Sequence, residues 1–330
     1  MKHFKFYLGL FWLFILLIGC NQDVFINDFR TDVSEVQLES DNDELTLKFK
    51  NGDWELDGII NHSLKGYISP VYFQQYNEQG VVTEKFEAIS LYTLGRLELI
   101  HPLVELDMER TNSNELKIHV KENLLPDCSL ELFFRHKEVY DLSQTITVRI
   151  APAHYKLKDI SYRLNSWRVE HRENTHTLTT IFQNSNSPIT YTAYPWKDEI
   201  RKVQFRELRY QSNSSSVLEI FNPYYLFTEP FEVLIPSQSE DEFRFELKND
   251  RALLNGNWQY LSLPNAKQKQ EVTVTKSGRN IITKHVKYEA NIHDCEILLE
   301  NVKTGKERVF YGAIYQEQPD QISIHIKNTN

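Results

Sequence analysis

The sequence predicts an all-β chain built as tandem immunoglobulin-like β-sandwich domains, and three observations carry that expectation. Short apolar runs alternate with polar residues, a period that turns one face of an extended strand inward. The chain holds 17 Tyr and 19 Phe but only 11 Gly and 2 Met, a balance that suits pleated faces, where aromatic rings pack well. No long stretch shows a persuasive 3.6-residue period, and no fixed repeat or low-complexity tract points to a solenoid or propeller.

The elements follow in order. Residues 1–19 read as a leader: Lys2, His3 and Lys5 make a basic start, Phe6 to Ile18 is uncharged, and small Gly19 precedes Cys20. The apolar run is short for a relaxed membrane span, and polar Asn21-Gln22-Asp23 follows at once. Leu17-Ile18-Gly19-Cys20 resembles the lipobox of bacterial lipoproteins, which implies that Cys20 is lipidated and becomes the first residue of the mature chain. Its acyl chains would hold the protein far more firmly than the marginal binding of a single one. The expected address is the outer membrane, on the cell surface or the periplasmic face.

Residues 20–32 are polar with scattered apolar positions and read as a tether. Residues 33–150 form the first sandwich. Leu45, Leu47 and Phe49 alternate with Thr46, Lys48 and Lys50, Asn51-Gly52-Asp53 supplies turn residues, and Trp54-Glu55-Leu56 resumes an extended run, the signature of a hairpin. Leu116, Ile118 and Val120 alternate likewise, as do Leu130 and Leu132, and Ile146, Val148 and Ile150. The piece from Glu84 to Leu94 has no clean period and is left open between a short helix and a long loop.

Ala151-Pro152-Ala153 marks a boundary, because proline cannot continue a central ladder. Residues 151–330 read as a second β-sandwich region of short strands, among them Ile160 to Leu164, Leu178 to Phe182, Val286 to Ala290, Glu296 to Leu299, Val309 to Ile314 and Ile322 to Ile326. Turn residues such as Lys276-Ser277-Gly278 and Thr304-Gly305 separate several of them. An alternative boundary near Pro264 would split off a further small unit.

Charge and cysteines exclude several classes. Removing Lys2 and Lys5 with the leader leaves 35 basic against 46 acidic residues, a formal charge of −11. That balance disfavours a nucleic-acid partner, which needs a basic footprint. With Cys20 assigned to lipid, Cys128 and Cys295 fall in different domains, so buried free thiols are expected and a disulfide framework is not.

Lys48-Phe49-Lys50-Asn51-Gly52-Asp53-Trp54-Glu55-Leu56 resembles the strand, small turn and tryptophan of the Bacteroidetes-associated carbohydrate-binding often N-terminal (BACON) domain. Leu116 to Asn123, Ser129 to Phe134 and Thr145 to Val148 resemble that domain's closing pattern, in which a strand ending in asparagine precedes two more. The resemblance spans residues 33–150 and implies an immunoglobulin-like fold, a bacterial surface setting and a carbohydrate-related or spacer role. Two features depart from the pattern: Arg149-Ile150-Ala151 stands where the family carries a glutamine, and the segment from Gly58 to Leu97 is longer.

No nucleophile elbow, P-loop, dinucleotide glycine motif or zincin helix is present, so the chain is expected not to be an enzyme and to need no cofactor. Glu170-His171-Arg172-Glu173 with His176 is the densest titratable cluster and reads as a solvated polar loop, not a metal site. His293-Asp294-Cys295 carries ligand-type residues, but neighbours on a strand face opposite ways. The positions of interest for ligand binding are Tyr191, Tyr194 and Trp196 in one proline-bearing segment and Tyr224 and Tyr225 in another. Flat rings on loops above a rigid sandwich suit the C–H faces of sugars. Trp54 reads as core, and Trp258 is left open. The expected function is a non-catalytic, membrane-anchored lipoprotein that binds extracellular glycan or glycoprotein. The alternative is a structural or spacer lipoprotein of a surface or transport complex.

Overall fold

The computed structural model describes residues 28–329, apart from 65–71, 77–81, 87–90, 92–93, 184–186, 211–218, 221–222, 228, 240–243 and 264. The leader and Cys20 lie outside the described residues. The chain is all-β and divides into two compact units, the first ending at Pro152 and the second running from Ala153 to Asn330.

The first unit is a sandwich of two sheets. Its strands are β1 (Glu35–Leu38), β2 (Asp43–Lys48), β3 (Trp54–Asn61), β4 (Tyr72–Tyr76), β5 (Val82–Phe86), β6 (Gly95–His101), β7 (Val104–Asn112), β8 (Glu115–Asn123), β9 (Cys128–His136) and β10 (Ser143–Ile150). Four of them form a sheet in the order β1-β10-β9-β3, and six form a second in the order β2-β8-β7-β6-β4-β5. Burial alternates without a break along β9, from Cys128 through Leu130, Leu132 and Phe134 to His136, so a single face meets the core throughout.

The expected hairpin between β2 and β3 does not form. β2 pairs with β8 and β3 with β9, so the Asn51-Gly52-Asp53 turn carries the chain from one sheet to the other. The physical reason is aromatic packing. Phe49 and Trp54 stack at 4.2 Å and Phe134 meets Trp54 edge-on at 5.6 Å, filling the space between the layers. Gly52 is needed in that turn because a Cβ there would meet Ser113 at 2.5 Å.

Two polar residues are locked into this core. Arg110 is buried with its guanidinium 3.7 Å over the Trp54 ring and donates to the carbonyls of Gly52 and Ser113. Asn123 ends β8 and donates its amide to the carbonyls of Leu125, Ile150 and Ala151, tying the ends of two strands together. That bonding is the reason an asparagine closes the strand.

The second unit contains β11 (Tyr155–Gln183), β12 (Ile189–Ala193), β13 (Arg201–Tyr210), β14 (Glu219–Ile220), a 3-10 turn (Pro223–Leu226), β15 (Phe231–Gln238), β16 (Phe245–Leu254), β17 (Gln259–Leu261), β18 (Gln270–Val274), β19 (Gly278–Asn301) and β20 (Glu307–Asn328). One sheet runs β11-β19-β20-β13-β14, with β17 also on β13, while β12 with β18 and β15 with β16 make two ribbons. The separate short strands expected over 160–182, 286–299 and 309–326 are pieces of three long ones. β11 alone has 29 residues, roughly 90 Å of extended chain.

A change of buried face explains the difference. Along β19 the buried positions are Ile282, Val286, Tyr288 and Ala290, then Cys295, Ile297 and Leu299, so the alternation shifts by one residue where 290–293 are all buried. β20 shifts opposite the same place, from Phe310 to Ala313 and Tyr315 across a fully buried 313–315. A phase shift in the apolar pattern reads in sequence as the end of one strand and the start of the next, although the ladder continues through it.

Candidate functional site

The sheet's two faces can be followed residue by residue, because Cα partners in an antiparallel ladder share a face. The front carries Tyr288, Ala290, Ile292, Asp294 and Glu296 of β19, and the back carries Asn291, His293, Cys295 and Ile297. The β15–β16 ribbon lies on the back: Phe245 meets His293 edge-on at 4.5 Å, and Gln316 donates to the Pro236 carbonyl at 2.8 Å. His293 is fully buried there, and burial pushes its imidazole down to about 4. The turn after β12 docks on the front, where Lys284 donates to the carboxylate of Glu199 at 2.5 Å and to the Pro195 carbonyl at 3.1 Å.

Where the two buried stretches meet, the front opens into a cleft of ≈ 280 Å³, lined by Glu170, Arg172, Tyr288, Ala290, Tyr315 and Glu317. The small Ala290 between larger neighbours leaves the space. Glu317, largely buried, accepts from Arg172 at 3.0 Å and from Lys202 at 3.3 Å. Tyr315 directs its hydroxyl at Glu170 at 3.4 Å, and burial, with the charges of Glu170 and Glu317, holds that phenol above its ordinary value. Arg206 lies 3.5 Å over the Tyr315 ring and 5.2 Å from that of Trp258, which meets Tyr315 edge-on at 5.6 Å. Arg172 lies 4.9 Å over Tyr288. Tyr288 donates to Glu199 at 2.5 Å, and its phenol is pushed up to about 12 by burial and by that bond. The cleft therefore offers fixed carboxylate acceptors and guanidinium donors held over the buried rings of Tyr288 and Tyr315, with the partly exposed Trp258 beside them, the inventory of a polar-ligand site.

The aromatic positions expected from sequence divide. Tyr191 stands on β12, while Tyr194, which is exposed, and Trp196, half-buried, sit in the turn that Glu199 anchors. Because Glu199 is bonded to Tyr288 of the cleft, this turn is seated beside it. Tyr224 and Tyr225 belong to the 3-10 turn instead. Tyr224 donates to the Phe205 carbonyl and fills the space above Gly256, where a Cβ would lie 2.2 Å from its ring. Burial raises its phenol strongly. Packing demands this ring, whatever its proline-bearing segment suggests.

Two other expectations are corrected or located. The 170–176 cluster is part of β11, not a polar loop. His171 and His176 are five positions apart, an odd step, on a regular stretch of ladder, so their rings point to opposite faces. His293, Asp294 and Cys295 are consecutive on β19 and alternate likewise. Among the described residues no group of three or more His, Cys, Asp or Glu is placed to hold a metal ion.

Sequence reasoning missed Arg172, Tyr288, Tyr315 and Glu317 because it sought ligand contacts on loops. The available signal was charge at every second residue, Arg168, Glu170 and Arg172, in a segment able to form a strand.

No family model and no curated protein matches the chain. Among solved structures it is similar to a lamprey immune protein at 10% identity, covering 87% of this chain and 99% of that one with a TM-score of 0.30. It is also similar to parasporin-2, a Bacillus thuringiensis toxin that recognizes cancer cells, at 11% identity, covering 53% of this chain and 74% of that one with a TM-score of 0.28. Scores this low transfer neither fold nor activity.

Proposed function

We propose that this chain is a non-catalytic lipoprotein, anchored at the outer membrane through Cys20, that binds extracellular glycan in the front cleft of its long sheet. One observation carries the reading: Trp258, partly exposed and set edge-on against the buried Tyr315, stands beside Arg172, Glu170 and Glu317, so a sugar C–H face and its hydroxyls find partners on one surface. Tyr194 and Trp196, in the turn held by Glu199, complete the proposed contact set, and Tyr191 precedes them on β12. Tyr224 and Tyr225 are left out of the contact set. The charges of the cleft serve orientation, since Glu317 is held between Arg172 and Lys202. Affinity is expected to be weak per site, roughly micromolar to millimolar, and raised by many copies on one membrane.

Trp258→Ala tests the site. Binding to an oligosaccharide identified on a glycan array is expected to fall at least tenfold with an unchanged melting temperature. Retained binding would overturn the placement. Cys20→Ala tests the anchor: the variant should leave the membrane fraction, and a mature N-terminus at another, unlipidated residue would sink the assignment.

A structural or assembly role is the second reading, favoured by Leu234, Leu247 and Leu253, which stand exposed on the β15–β16 ribbon. A dimer or larger species seen by light scattering, and lost in Leu247→Lys, would support it over glycan capture.

A further inference from the structure

Further along the same front face lies a second cavity of ≈ 230 Å³, lined by Arg163, Arg168 and Arg209 with Asp294, Glu296 and Tyr311. Four adjacent strands build it: β11 supplies two arginines, β19 the two acids, β20 the tyrosine and β13 the third arginine. The ladder pairs Arg163 with Asp294, Asp294 with Ala313, Glu296 with Tyr311, and Tyr311 with Arg209. The short side chain of Ala313 leaves the floor open, so the arginines lean over it from both sides.

The charges do not cancel. Arg163 is bonded to Glu296, and Arg168 donates to Asp294 at 2.7 Å, whereas Arg209 has no ion-pair partner among the described residues. Three guanidinium groups thus face two carboxylates, leaving one positive charge in a pocket of a chain whose formal charge is −9. An exposed guanidinium with free donors on a rigid wall is suited to a planar or tetrahedral oxyanion, which it grips with two parallel hydrogen bonds. The cavity shares its face with the aromatic cleft. Ala313, here, and Tyr315, there, are two residues apart on β20, about 7 Å along the strand, near enough for one extended ligand to reach both.

We propose that the arginine cavity is an anion subsite, and that the glycan bound by this protein is acidic, carrying a carboxylate or sulfate that Arg209, Arg163 and Arg168 receive while a neighbouring sugar ring lies on the exposed edge of Trp258. This inference rests on the glycan-binding reading and names its substrate class.

The test titrates the full-length protein in detergent with three probes: a carboxyl-reduced heparin oligosaccharide that keeps only its sulfates, a polygalacturonate oligomer carrying carboxylates, and desulfated, N-acetylated and carboxyl-reduced heparin of the same length as a neutral control. At least one acidic probe should bind tenfold or more tighter than the neutral one, with affinity falling as salt rises. Which acidic probe wins tells sulfate from carboxylate. Arg209→Gln, which disrupts no ion pair, should remove most of that advantage and flatten the salt dependence while leaving neutral binding and the melting temperature unchanged. Arg209→Lys should restore only part of the advantage, because a lysine keeps the charge but loses the fork. Equal binding of acidic and neutral probes, or an acidic preference indifferent to Arg209→Gln, would overturn the subsite yet leave glycan binding standing. Failure of every saccharide to bind would overturn the reading beneath it. Binding to phosphatidylglycerol vesicles, lost in Arg209→Gln and with no saccharide bound, would assign the arginines to a lipid headgroup instead.

Discussion

The two units bury sheets under opposite rules, and the contrast explains where each admits charge. In the first, β9 presents one unchanging face from Cys128 to His136, so the interior is largely apolar, and polar members such as Arg110 and Asn123 are held by hydrogen bonds to backbone carbonyls. In the second, β19 and β20 exchange their buried face midway, so over 290–293 both faces are covered and Asn291 and His293 are enclosed with Ala290 and Ile292. A strand of constant phase yields a core and a wet side. One that changes phase yields a junction, and at this junction a polar cleft opens.

Breaking the first rule should have the largest effect. Trp54 is fully buried, stacks on Phe49 and supports the Arg110 guanidinium. Trp54→Ala removes the ring and strands a buried cation, so a loss of about 4 kcal/mol is expected. Chemical denaturation of the whole protein measures it. A loss below about 1 kcal/mol would mean that the sandwich core does not depend on its aromatic cluster.

The junction should instead be sensitive to acid. The folded His293 imidazole lies at about 4, well below its ordinary value. Between about 6.5 and 4 the unfolded chain therefore binds a proton that the folded chain refuses, and stability falls as pH falls through that window. Below about 4 the loss is complete, about 3 kcal/mol from this one group. Denaturation midpoints compared between pH 7 and pH 4 should drop less in His293→Met than in the parent. Identical drops would show that the junction bears no such penalty.

These rules were unequally visible in the sequence. Alternation at Leu116, Ile118 and Val120 and at Leu130 and Leu132 reported constant-phase strands directly, and Trp54 could be placed in the core from its position at a strand start. The long strands were hidden because a change of buried face looks like a break, and Ala290-Asn291-Ile292-His293 reads as neither a period of two nor a turn. The site was hidden for a related reason. Its residues come from four strands that only the ladder brings into register, whereas Tyr224, conspicuous in sequence, turned out to be filler above Gly256. Local pattern shows which side of a strand is buried, but the partner that covers it is a property of the whole fold.

A smaller effect separates the cleft's wall from its contents. Tyr288 donates to Glu199 within a buried trio completed by Lys284. Tyr288→Phe keeps the ring under Arg172 and removes one hydrogen bond to a charged acceptor, for about 2 kcal/mol of stability. Thermal denaturation gives the value. If the turn bearing Tyr194 and Trp196 is held as the geometry implies, hydrogen exchange there should quicken in this variant, and unchanged protection would detach that turn from the cleft.

The smallest effect is expected where the two units are alike. Each encloses one free cysteine, Cys128 in the first and Cys295 in the second. Burial pushes both thiols up to about 12. At pH 8 only about one molecule in ten thousand would then carry either thiolate, the form that attacks disulfides and alkylating reagents. Native protein should resist an aromatic disulfide reagent that modifies both cysteines after denaturation, and added reductant should leave the melting temperature unchanged. Rapid native labelling of one thiol alone would identify the unit that opens more readily, giving the comparison a kinetic side. A linked peptide containing Cys128 and Cys295 would contradict it outright, since each thiol would then have to leave a core that the structure closes around it.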